Sequence, residues 1–155
     1  MNREQRLKFL RFYHGTNKQG LEGLLKSQKP DFDLVPRNPV EEVHYLTKPE
    51  VLFGSTSSDV ASRYALDDNI VEVMLKPEAK IIGEKTLLKY NKIPVINNND
   101  MTNRHLWIHK KAREKGYDVV ASAKVHHNNP KLPAFSQTFR LVNPDMVQKV
   151  RKHES

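Results

Sequence analysis

The run Ile70-Val71-Glu72-Val73-Met74-Leu75, closed by Lys76-Pro77, constrains the fold most. It alternates around Glu72, is rich in β-branched residues, and ends at a proline that cannot continue a ladder, so it reads as a strand. A strand this short is stable only as part of a larger sheet. The other apolar runs are shorter or comparable. Phe9 to Tyr13, Val43 to Leu46, Val51 to Phe53, Ile81-Ile82 and Tyr117 to Ser122 read as strands, and Phe135 to Val142 reads as the last one.

Segments of helical period lie between them. Lys18 to Ser27 carries Leu21, Leu24 and Leu25 at helical spacing. Ser57 or Ser58 caps a helix with Val60, Ala61, Tyr64 and Ala65 on one face. Lys85 to Lys89 reads as a short helix. Thr102 to Lys115 reads as a longer one with Leu106, Trp107 and Ala112 toward the core, ended by Gly116. Lys29 to Val40, with three prolines, Asn97 to Asp100 and His126 to Pro133 read as loops. Asn143-Pro144-Asp145 turns into a short C-terminal helical piece. The expected architecture is a mixed α+β domain spanning 1–155, short strands with helices inserted between them, without repeats.

A chain of 155 residues buries roughly two-thirds of its unfolded surface without staples. It has no cysteine, which excludes disulfides, thiolate zinc sites and a cysteine nucleophile. No run of about 18 apolar residues exists, so no membrane span is expected. The basic start MNREQRLKFLRFY has too short an apolar stretch for a signal peptide, and a cytoplasmic monomer is expected. The net charge is +8, from 26 Lys and Arg against 18 Asp and Glu. The excess gathers at Arg3, Arg6, Lys8 and Arg11, at Lys110, Lys111, Arg113 and Lys115, and at Lys149, Arg151 and Lys152. Such a surface suits a nucleic acid or an acidic protein, or is a lysine-rich solvated face.

Five segments in order carry the functional reading: Phe12-Tyr13-His14-Gly15-Thr16, Val51 to Ser57 with Val60 to Ala65, Ile70 to Pro77, Ala112 to Val120, and Phe139-Arg140-Leu141-Val142-Asn143-Pro144-Asp145. Together they resemble the histidine–tyrosine type of the ADP-ribosyltransferase superfamily, with its split mixed β-sheet and inserted helices. The resemblance covers most of the chain. It implies an enzyme that cleaves nicotinamide adenine dinucleotide (NAD, here a substrate), releases nicotinamide and passes ADP-ribose to a macromolecule. A small protein of this kind also resembles bacterial or phage effectors and toxins.

The same resemblance assigns roles. His14 would hydrogen-bond a ribose hydroxyl. The main chain of Gly15, with Thr16 beside it, would hold the carboxamide where a side chain would obstruct. Tyr64 would stack on the nicotinamide ring, and Ser55 or Thr56 would offer a hydroxyl. Breaking the glycosidic bond develops positive charge on the sugar, which preorganised groups must support. Many members place a glutamate there, at the start of the last strand. No glutamate occurs from Phe135 to Val150; Gln137 or Thr138 stands in its place, only one of them can face inward, and Gln137 is preferred. Read without the resemblance, His14 is a histidine satisfied at a strand end and Tyr64 a core residue of an amphipathic helix.

Two related readings keep the cleft. The RNA 2′-phosphotransferases share a His-Gly-Thr opening, and Arg37 and His44 lie where phosphate-gripping residues are needed. A catalytically silent module would bind NAD, ADP-ribose or nucleic acid without turnover. His105 and His109 share a helix face at metal-ligating spacing, but lack an evident third ligand, so a partly exposed helix face and no metal are expected. His126-His127 with Lys124 and Lys131 reads as a solvated loop, or as an acid–base pair at a phosphate.

Overall fold

The computed structural model describes residues 10–32, 51–92, 101–126 and 128–154. The sequence-predicted strand at 43–46, the loop at 97–100, Arg37, His44 and His127 lie outside them. The described residues form seven strands: β1 (Arg11–Gly15), β2 (Leu52–Ser55), β3 (Ile70–Leu75), β4 (Ile81–Gly83), β5 (Val119–Val125), β6 (Phe135–Leu141) and β7 (Val147–Lys152). Among the described residues four helices accompany them: α1 (Lys18–Ser27), α2 (Ser58–Ser62), α3 (Glu84–Tyr90) and α4 (Met101–Glu114). The strands form one mixed sheet in the order β4-β5-β6-β2-β1-β3-β7. β4 and β5 are parallel, and every other neighbouring pair is antiparallel. The mixed α+β expectation holds. Among the described residues no helix is long and apolar enough to cross a membrane.

Two apolar layers hold helices to opposite faces. Phe12, Val71, Val73, Phe139, Leu141 and Val150 pack with Leu21 of α1. Ile82, Val120 and Val142 pack with Leu87 of α3 and with Ile108 and Ala112 of α4. α1 begins at Asn17, whose side chain accepts the Gly20 N–H at 2.7 Å. α4 ends at Gly116, where φ is +82° and the Tyr117 N–H reaches back to the Ala112 carbonyl at 2.9 Å. That left-handed step is the reason a glycine stands there.

Three expectations are corrected. The C-terminal segment is not helical beyond one 3-10 turn, Pro144–Met146; it continues as β7, which pairs with β3, so β6 is not the last strand. Val147 and Val150 are three apart, a helical spacing that would put them on opposite faces of a regular strand. A register shift between Met74 and Leu75 absorbs the extra residue: Val150 pairs with Val73 and Val147 with Leu75, and both valines are buried. In α4, Trp107 is only half-buried with the Lys110 ammonium 4.8 Å from its ring centre, while Ile108 and His109 are fully buried. α2 is shorter than its apolar pattern implies and stops at Ser62, leaving Tyr64 in the turn that follows.

Candidate active site

β1 and β2 are joined by one register pair, Tyr13 with Ser55. At this joint, beneath the end of α2, lies a cavity of about 330 Å³. His14, Gly15, Ser55 and Tyr64, far apart in sequence, all line it, together with Tyr13, Phe53, Val60, Lys124 and Thr138. Its size is at the lower end of ligand pockets, about 300–1,000 Å³, and suits one ring with one sugar better than a whole dinucleotide.

His14 stands half-buried on β1, and its Nδ1–H donates to the Phe53 carbonyl at 2.5 Å. That bond assigns the proton to Nδ1 in the neutral ring and leaves Nε2 as an acceptor. Burial pushes the His14 pKa below its ordinary 6.5, and the Phe53 carbonyl opposes this only in part, so the ring is neutral at pH 7. Ser55 is buried and its Oγ accepts the Ser57 N–H at 3.1 Å, which keeps its own hydroxyl proton for another partner. Ser57 caps α2 by accepting the Val60 N–H.

Tyr64 is 69% exposed at the rim. It is therefore not a core residue of the helix, and a flat ligand stacked on it would cover apolar surface. Gly15 has a packing reason of its own: a Cβ there would run into the Ala61 carbonyl oxygen of α2. Its bareness is thus required by the close approach of helix and strand, whatever its main chain holds.

The register decides between the two residues of β6. Ser55 pairs with Thr138, and Thr138 with Ser122, so these side chains share a face. Thr138 lines the cavity and Gln137, one residue earlier, points to the other face. Gln137, the preferred inward residue, is not among the cavity-lining residues, and Thr138 is. The Gln137 main chain is engaged with Thr56: each N–H bonds the other residue, to the Thr56 hydroxyl and the Gln137 carbonyl, at 3.0 Å. Thr56 is thereby a strand-pairing residue and is not among the cavity-lining residues. Thr16 is not among them either; its N–H and carbonyl bond Asn69 and Leu66 and tie down the loop after α2.

No family model, curated protein or solved structure matches this chain. The functional reading rests on the cavity itself. Tyr13 and Phe53, among others, escaped the sequence reading as site residues, and Lys124 was read only beside the His126-His127 loop. Lys124 had a legible signal. Val119 to Val125 alternates to its end, so β5 extends past Ser122 and puts Ser122 and Lys124 on one face.

Behind Phe53 lies a polar network. The Arg140 guanidinium sits 5.9 Å from the Phe53 ring centre and bonds Glu84 at 3.1 Å; the other Glu84 oxygen accepts the Ser122 hydroxyl at 3.0 Å. His109, fully buried rather than on a partly exposed face, packs edge-on to Phe53 and parallel to His105. His126, expected in a solvated loop, bonds the buried Ser136 hydroxyl at 2.8 Å. Among the described residues lining the cavity there is a cation, Lys124, and no carboxylate.

Proposed function

We propose that the cavity takes the nicotinamide and adjoining ribose of NAD, and that the protein is an NAD-dependent ADP-ribosyltransferase acting on a macromolecule. The observation that supports it is the convergence of His14, Ser55 and Tyr64 on one cavity, with an acceptor nitrogen, a hydroxyl and an open aromatic face. In this reading His14 Nε2 accepts a hydrogen bond from a ribose hydroxyl. The Tyr64 ring covers nicotinamide, a contact of about 1 kcal/mol. The bond between the sugar carbon and the ring nitrogen breaks, its electron pair leaves with neutral nicotinamide, and the acceptor's nucleophile bonds that carbon and gives its proton to water. The hydroxyl oxygens of Ser55 and Thr138 support the developing positive charge as neutral dipoles, which is weaker support than a carboxylate provides.

The test is nicotinamide release from NAD, followed by mass spectrometry, with and without whole-cell lysate. Release that needs lysate and disappears in His14→Ala is the expected result. Thr138→Glu should raise NAD hydrolysis by on the order of tenfold by adding charge beside the sugar, while Gln137→Glu should not. A rise in Gln137→Glu alone would reverse the assignment of the two.

Lys124 and the lack of a carboxylate among the lining residues favour a second reading, in which the cavity receives a phosphate-bearing ligand. It would then be a silent module for NAD or ADP-ribose, or a 2′-phosphotransferase acting on RNA. Saturable NAD binding without nicotinamide release under any condition supports the silent module, and consumption of NAD only in the presence of 2′-phosphorylated RNA supports the phosphotransferase.

A further inference from the structure

On the sheet face opposite α1, the register sets two rows of side chains across β1, β3 and β7: Arg11, Met74 and Lys149, then Tyr13, Glu72 and Arg151. Glu72 is buried and shared by two guanidiniums. Arg151 donates to it twice, Nε to Oε2 at 2.9 Å and Nη2 to Oε1 at 3.1 Å; Arg11 Nε lies 2.8 Å from Oε1. The Arg151 hydrogen bonds first, and then the charge of Arg11, hold the Glu72 carboxyl below its ordinary range, so it stays ionised and keeps both forks in place. Two positive charges against one negative leave the trio cationic.

Both arginine side chains remain about half exposed, at 49% and 48%. A guanidinium has five donors; Glu72 takes one on Arg11 and two on Arg151, and Arg11 Nη2 also donates to Met74 Sδ at 4.0 Å. Lys149 is exposed and lies two residues from Arg151 on the same face, about 7 Å along the strand. Beside them the Tyr13 and His153 rings meet edge-on at 4.9 Å. Tyr13 also lines the cavity, and Lys124 stands in the same lining. Tyr13 therefore joins the cationic rows to the cavity.

We propose that this strip docks a single-stranded nucleic acid, with phosphates on Arg11, Lys149 and Arg151, a base against the Tyr13–His153 pair, and the strand reaching the cavity as the acceptor. Prearranged guanidiniums suit phosphate oxygens. The aromatic pair distinguishes bases from the carboxylates of an acidic protein, and base faces are open only in a single strand. The acceptor role rests on the transferase reading; the docking does not.

The experiment is fluorescence anisotropy of short mixed-sequence RNA and DNA strands over a salt series, without NAD, with the matching duplex and polyglutamate as competitors. The expected result is tighter binding of the single strand than of either competitor, weakening steeply with salt. Lys149→Glu should weaken it by about tenfold and lower the log–log salt slope by about 1. Lys85→Glu, the same charge change on α3, should alter it far less. Lys149→Gln provides the same comparison if the Glu variant melts early. Duplex binding at least as tight, polyglutamate competing better, or an equal loss in Lys85→Glu would overturn the strip. Because NAD is absent, a failure of nicotinamide release and a failure of docking are read separately.

Discussion

His14 carries the heaviest demand on a single side chain. Its ring is pinned by the Phe53 carbonyl and kept neutral by burial, which leaves a hydrogen-bond acceptor at the cavity. The folded pKa is lowered from 6.5. Between the folded value and 6.5 the unfolded chain binds more protons than the native one, so stability rises with pH through that window. Stability from this group is therefore complete above about pH 6.5 and is lost as pH falls through the folded pKa. Thermal melts from about pH 8 to pH 5 should show a steeper acid loss in the wild type than in His14→Gln. Parallel profiles would mean that another group titrates. If the cavity binds NAD as proposed, its affinity should fall as pH drops through the folded pKa, because a protonated ring has no acceptor nitrogen.

Between elements, the approach of α2 to β1 shapes the cavity. Val60 and Ala61 are buried against the strand end, and Gly15 admits the Ala61 carbonyl. Gly15→Ala should cost about 1–3 kcal/mol, because backbone must shift to make room. Gly23→Ala, in α1 with nothing near the added methyl, should instead stabilise by about 0.5–1 kcal/mol. Opposite signs in denaturant unfolding are the expected outcome; equal effects would remove the close-packing account. β7 teaches a related lesson. Its two valines read as helical by spacing, and the irregularity opposite Met74 and Leu75 turns that spacing into a strand with one buried face.

Across the whole molecule, Glu72 links three strands by taking Arg11 from β1 and Arg151 from β7. Its folded pKa is lowered from 4.5, so its contribution is present above about pH 4.5 and is lost as pH falls through the folded value. Glu72→Gln should lower stability at neutral pH by about 1–3 kcal/mol, less than for a fully buried pair because both arginines are half solvated. It should also flatten the acid limb of the unfolding profile. The two freed arginines raise the local positive charge, so added salt should recover part of the loss. A variant with unchanged acid stability would show that the trio is an exposed decoration of the sheet.

The sequence by itself determined the local elements. The strand at Ile70 to Leu75, α1, and a serine cap at Ser57 or Ser58 follow from alternation, helical period and side-chain capping, which act within a few residues. It also singled out His14, Gly15, Ser55 and Tyr64, which meet at one cavity. Only the tertiary structure decided between Gln137 and Thr138, because a strand's inward face depends on the register of its partner, and Ser55 supplies that register from a distant segment. Phe53 and the Glu72 trio were illegible as site or linking groups for the same reason. Each acts through a neighbour contributed by another strand, and cross-strand pairing leaves no trace in local spacing.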